Sequence, residues 1–147
     1  MKDVRAKKHL GQHFLNDETI AKNITDLLSS DTQFVVEIGP GMGVLTQFLV
    51  EKNFEIQLVE IDRESVFYLR LNYPELEGKI TEGDFLQLPL KEKYPDQFSL
   101  IGNFPYNISS QILFKAFENR DQIIEVVGMF QKEVAERIVG EKGKKRG

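Results

Sequence analysis

Phe34-Val35-Val36-Glu37-Ile38-Gly39-Pro40-Gly41-Met42-Gly43 passes from an apolar run into a glycine turn, and Val44-Leu45-Thr46-Gln47-Phe48-Leu49 follows with helical character. A strand, a glycine turn and a helix in this order open a nucleotide-type α/β unit, whose ligands sit beyond the carboxyl end of the strand. Gly39, Gly41 and Gly43 do not fit the dinucleotide fingerprint G-x-G-x-x-G, because Val44 takes the place of its last glycine. That argues against a nicotinamide cofactor. Glu37 points the same way, since a carboxylate two residues before Gly39 repels a pyrophosphate and suits a ligand with positive charge. S-adenosylmethionine, with its sulfonium and ammonium groups, is such a ligand.

The next runs supply partners for a nucleoside. Ile56-Gln57-Leu58-Val59 ends on Glu60, twenty-one residues after Gly39, where an acid can accept hydrogen bonds from ribose hydroxyls. A third run around Ile80 leads into Gly83-Asp84-Phe85, where Asp84 can accept from an adenine amine while Phe85 covers the ring. Taken singly, each acid reads more readily as a solvated loop residue. Their order and spacing match the needs of one cofactor.

A fourth run, Phe98-Ser99-Leu100-Ile101-Gly102, ends in Asn103-Phe104-Pro105-Tyr106: an amide, a rigid turn residue and an aromatic at one strand end. The cluster suits a planar amine. An adenine amine is a poor nucleophile, because its lone pair is delocalised into the ring. If the Asn103 side-chain oxygen and the Pro105 carbonyl each accept one amine hydrogen, the nitrogen is drawn toward tetrahedral geometry with its lone pair on the methyl group. Proline holds that turn rigid, and Tyr106 stacks on the extruded base, a contact worth roughly 1–3 kcal/mol. Alone, the motif reads equally as an Asn-Pro turn with a core tyrosine.

Alternation of elements predicts an α/β fold with a mostly parallel sheet flanked by helices. Strands are expected near 33–38, 55–60, 79–82, 98–102 and 123–130, with helices near 44–52, 63–72 and 109–118 and a last one near 131–139. A first helix is expected from Glu18 to Ser29, capped by Asn16 or Asp17, with Ile20, Ile24, Leu27 and Leu28 on its core face.

These motifs together resemble one family. Leu10-Gly11-Gln12-His13-Phe14-Leu15, Glu37-Ile38-Gly39-Pro40-Gly41-Met42-Gly43, Val59-Glu60-Ile61-Asp62, Gly83-Asp84-Phe85, Asn103-Phe104-Pro105-Tyr106-Asn107-Ile108-Ser109 and Gln131-Lys132-Glu133-Val134-Ala135-Glu136-Arg137 are similar to the ribosomal RNA adenine dimethyltransferases of the KsgA type. The resemblance implies a Rossmann-like class I S-adenosylmethionine-dependent methyltransferase that dimethylates two adjacent adenosines near the 3′ end of 16S ribosomal RNA. Its partner would be the immature 30S subunit. It also implies that the segment matching Gln12 to Leu15 closes over the methionine part of the cofactor, making Gln12, His13 and Leu15 candidate contacts, with Ile61 and Asn103 beside them. Family members often carry asparagine at the position of His13, which reads as readily as a surface histidine. Members also continue well past the point matching Gly147, so a chain truncated before the last strands of the sheet is expected, with an uncovered edge.

Composition bounds the alternatives. The 147 residues are 41% hydrophobic and 29% charged, as in one globular domain with its own core. With no cysteine and only His9 and His13, no metal site is expected. No apolar run nears the roughly 20 residues that span a bilayer, and no signal-type segment opens the chain, so a cytoplasmic monomer is expected. The net charge of −4 is unevenly placed: Lys2, Arg5, Lys7, Lys8, Lys142, Lys144, Lys145 and Arg146 sit at the ends. Between them 11 basic residues face 22 acidic ones, a balance of −11 drawn from totals of 19 and 23. Basic ends on an acidic body suit phosphate contact by the ends. The expected organisation is a basic, cofactor-covering segment over 1–16, a catalytic domain over 17–139 and a basic tail over 140–147. Two other readings stay open: a ribosome-assembly factor that binds RNA without catalysis, and a large-subunit methyltransferase of the resistance type.

Overall fold

The computed structural model describes residues 18–104 and 107–129, and the backbone alone of 135–139. The expectations for Gln12, His13, Leu15, Pro105 and Tyr106, for the caps Asn16 and Asp17, and for the two basic ends lie outside the described residues.

In chain order the elements are α1 Glu18–Thr25, β1 Phe34–Ile38, α2 Thr46–Leu49, β2 Glu55–Glu60, α3 Arg63–Asn72, β3 Ile80–Glu82, α4 Leu90–Lys93, β4 Phe98–Asn103, α5 Ser109–Glu118, β5 Ile123–Met129 and β6 Ala135–Val139. Short 3-10 turns cover Pro74–Leu76 and Phe85–Gln87. The sheet runs β3-β2-β1-β4-β5-β6, with parallel pairs through β5 and β6 antiparallel to it. The chain winds outward from β1 to β3, then returns to lay β4 on the other side of β1. That reversal opens a crevice beyond the carboxyl ends of β1 and β4, where open α/β sheets hold their ligands.

Burial on both faces explains why the central strands read as unbroken apolar runs. Val35, Leu58, Ile101 and Val127 pack with Ala21, Ile24, Leu45, Leu49 and Leu69 on one face. Val36, Ile38, Leu100 and Val126 meet Ile112 and Ala116 of α5 on the other. At the amino end, Phe34, Tyr94 and Phe98 form an edge-to-face trio with centroids 5.3–5.8 Å apart. Buried Glu125 ties the α1–β1 loop to that end, accepting from Ser99 Oγ at 2.7 Å, Thr32 Oγ1 at 3.0 Å and Ser29 N at 3.2 Å. The described residues contain no helix long and apolar enough to cross a membrane.

Two expectations are corrected. The last helix near 131–139 is a strand over Ala135–Val139, so the sheet has six strands among the described residues rather than five, and the edge of β5 is covered. Ala135, Glu136 and Arg137 are good helix formers, but pairing with the open N–H and C=O groups of β5 overrides that preference, and β-branched Ile138 and Val139 suit a strand. In α1 the helix stops at Thr25, and Ile20 and Leu27 are 38% and 37% exposed. The face that packs is Ala21, Ile24 and Thr25, with half-buried Leu28 beside it. An inward threonine is tolerated because its hydroxyl donates to Lys22 O at 2.8 Å.

Candidate active site

The turn after β1 needs its glycines: Gly39, Gly41 and Gly43 have φ of 64°, 58° and 88°, a region that other residues rarely adopt. A Cβ on Gly43 would also come within 3.0 Å of the Tyr73 ring, which fills the space beneath the turn. Gly39 N donates to Val59 O at 2.8 Å, and Gly83 N donates to Glu60 O at 2.9 Å. The tips of β1, β2 and β3 are therefore bound to one another.

Glu60 is the centre of that linkage. Its Oε1 accepts from Gly41 N at 2.8 Å and its Oε2 from Asp62 N at 2.8 Å, and the residue is wholly buried. Each carboxylate oxygen is thus tied to a backbone N–H on either side of the β2 tip. Ile61, next along, is 64% exposed at the rim. Asp62 caps α3, accepting from Ser65 N at 3.0 Å and Ser65 Oγ at 2.9 Å.

Asp84 caps the 3-10 turn that follows β3, accepting from Leu86 N at 3.0 Å. Phe85 was expected to cover a bound ring; it is 3% exposed and packs in the core with Val59 and Tyr94. Lys115 of α5 grips this loop, a contact absent from the sequence-based expectations. Its Nζ donates to Phe85 O at 2.7 Å and Leu88 O at 2.8 Å and lies 5.1 Å from the Phe85 ring centre. Burial pulls the Lys115 pKa down, while Asp84 and Glu118 oppose the shift. A lysine beside Ala116 on the packed side of α5 was the available signal.

Asn103 ends β4, opposite Met129 of β5 and partly exposed. Phe104 behind it is 4% exposed and fills a slot that two glycines leave open. A Cβ on Gly102 would lie 2.7 Å from Ile38 O and 2.9 Å from the Phe104 ring; one on Gly128 would lie 2.1 Å from Gly102 O and 2.6 Å from the same ring. Sequence reasoning passed over Gly128, although a lone glycine inside an apolar strand signals close backbone approach. Gly128→Ala is expected to cost about 3 kcal/mol, the upper part of the overpacking range. A urea midpoint within error of the parent would show that the slot is not tight.

Glu37 faces the α2 side of the sheet beneath the turn, and its Oε1 accepts from Thr46 Oγ1 at 2.6 Å. Burial is the main cause of its raised pKa, which reaches about 8; the Thr46 hydrogen bond works against this and the Glu60 charge adds to it. The reading of Glu37 as a standing negative charge is thereby changed: at neutral pH it carries a proton. Its folded value lies above the ordinary 4.5, so the folded chain binds the extra proton and stability falls as pH rises from that value through about 8.

The residues expected at strand ends thus stand at four neighbouring tips in the order Asp84, Glu60, Gly39 and Asn103, around the reversal of the sheet. Fold and loop define a Rossmann-like α/β unit of the class I methyltransferase type. Solved structures agree. A 23S rRNA methyltransferase, ErmE, is 29% identical with a TM-score of 0.61 over 78% of this chain and 46% of its own. A dimethyladenosine transferase from Plasmodium falciparum is 28% identical with a TM-score of 0.61 over 78% of this chain and 41% of its own.

Residues 4–147 match the family described as Ribosomal RNA adenine dimethylase, and the chain belongs to that family. Its relatives include the Ribosomal RNA small subunit methyltransferase A of Flavobacterium johnsoniae, 59% identical over 99% of this chain and 56% of that protein. That of Cytophaga hutchinsonii is 55% identical over 99% of this chain and 57% of that protein. The chain thus spans about half the length of these curated relatives.

Proposed function

We propose that the chain carries the cofactor- and adenine-binding part of an S-adenosylmethionine-dependent ribosomal RNA adenine N6-dimethyltransferase that acts on the small subunit. The observation that carries this reading is the linkage of strand tips through Glu60, which joins the glycine turn to the loop bearing Asp84 and sets both beside Asn103. Identity of 55–59% to relatives named for the small subunit, against 29% to the 23S enzyme, favours the small-subunit substrate.

In this reading the ribose hydroxyls donate to Glu60, and the adenine amine donates to Asp84. Gly39 and Gly41 supply a close backbone floor, Ile61 covers the nucleoside from the rim, and Phe85 supports it from the core. Gln12, His13 and Leu15, in the segment over 1–16, close over the methionine part. The target adenosine leaves its helix and enters beside Asn103 and Pro105, with Tyr106 on its face. Asn103 and the Pro105 carbonyl would accept its amine hydrogens and turn its lone pair toward the methyl group that S-adenosylmethionine would supply, and the amine proton would leave to water as the methyl is transferred. The immature 30S subunit is the partner, met by the basic ends over 1–16 and 140–147, and the protein works as a cytoplasmic monomer.

The test is transfer of tritiated methyl groups to undermethylated 30S subunits, followed by nucleoside analysis. Dimethyladenosine is the expected product. Tight binding to the subunits without transfer would support the non-catalytic assembly factor, and label in the large subunit alone would support the resistance-type reading.

A further inference from the structure

Glu37 and Glu60 are both buried carboxyls beneath one loop, yet their surroundings differ. Glu60 accepts from two backbone N–H groups. Glu37, in register between Leu58 and Ile101, accepts from the neutral Thr46 hydroxyl. The titratable groups facing it are Glu60 from β2 and the Tyr73 phenol that follows α3 and lies against Gly43. Both become negative on ionising, and among the described residues no lysine or arginine acts on Glu37. Burial and the nearby Glu60 carboxyl both favour the neutral form of Glu37, and the Thr46 hydrogen bond opposes them. Glu37 stands two residues before Gly39 and is tied through Thr46 to the helix just after Gly43, which places it directly under the turn.

We propose that Glu37 is a proton-releasing acid of the cofactor site: it carries a proton until a cationic nucleoside seats on the glycine turn, and then gives that proton to water. This rests on the reading of the cofactor as S-adenosylmethionine, which brings the positive charge. In the step the carboxyl O–H bond breaks, the proton passes to the buffer, and the carboxylate left behind balances the incoming cation. Two consequences follow from linkage. Cofactor affinity rises with pH until Glu37 is ionised in the free chain as well, by up to about tenfold per pH unit. A neutral thioether product releases less of the proton, so the loop holds the methyl donor more firmly than what remains of it.

Calorimetric titration of S-adenosylmethionine into the full chain at pH 7, in buffers of different ionisation enthalpy, measures the protons exchanged. With the free carboxyl titrating at about 8, release of about 0.9 proton per cofactor is expected. Glu37→Gln should bind without that release and without the rise in affinity with pH. The α-amine of the cofactor titrates at ~8, as such amines do, so at pH 7 its own uptake beside a carboxylate is at most about 0.1 proton and does not mask the release. S-adenosylhomocysteine should release a smaller fraction. The wild-type melting temperature should also fall from pH 5 to pH 8 more steeply than that of Glu37→Gln. Should that variant not fold, a carbon-13 titration of the wild-type Glu37 carboxyl with and without cofactor reads the same proton. Binding with no release, or equal release from both proteins, overturns the proposal and leaves the cofactor reading intact. No binding by the wild-type chain overturns both.

Discussion

Asn103→Ala is expected to lower the rate of methyl transfer by on the order of 10²-fold, about 2.7 kcal/mol, while cofactor affinity stays within about threefold of the parent. The amide stands at the end of β4, and the proposed function has its oxygen accept from the adenine amine. Its hydrogen bond matters most as the nitrogen turns tetrahedral, so the loss falls on the transition state and lowers kcat and kcat/KM together. Asn103 is only partly buried, and the β4–β5 pairing around it is backbone, so the fold should survive the change. Single-turnover transfer to undermethylated subunits, beside a cofactor titration, separates the effects. Unchanged transfer, or a loss confined to cofactor affinity, would contradict the role given to the amide.

For Glu60→Ala the loss falls on binding instead. The carboxylate holds Gly41 N and Asp62 N at 2.8 Å each, and in this reading it also receives the ribose. Removing an ionised hydrogen-bond partner costs about 1.5–3 kcal/mol, a weakening of roughly 10- to 150-fold in cofactor affinity. Two backbone donors lose their buried partner as well, so stability should drop by on the order of 2 kcal/mol. Glu60→Gln keeps one acceptor oxygen and should lie between. Calorimetry that returns parental affinity for Glu60→Ala would remove the residue from the site.

Local chemistry made most of the fold readable. Glycines at positive φ announced the turn after β1, and strands buried on both faces announced themselves as apolar runs that end on Glu60 and Asn103. What the sequence hid depends on distant partners. Ala135–Val139 became a strand because β5 offered an edge, a fact no short window contains. Phe85 turned inward because α5 and its Lys115 close over the loop from thirty residues away. Glu37 looked like a fixed charge because burial and the neighbouring Glu60, the groups that keep its proton on, cannot be seen in the run Phe34–Ile38. The order β3-β2-β1-β4 likewise came from the structure, and it turns four separately inferred tips into neighbours.

Amide chemical-shift mapping of the nitrogen-15-labelled chain during addition of S-adenosylmethionine tests the shared cradle most directly. The account predicts saturable one-to-one shifts concentrated at Gly39, Gly41, Glu60, Ile61, Asp84 and Asn103, with the amino end of the sheet around Phe98 and Glu125 unmoved. Shifts centred elsewhere, or none at millimolar cofactor, would contradict it.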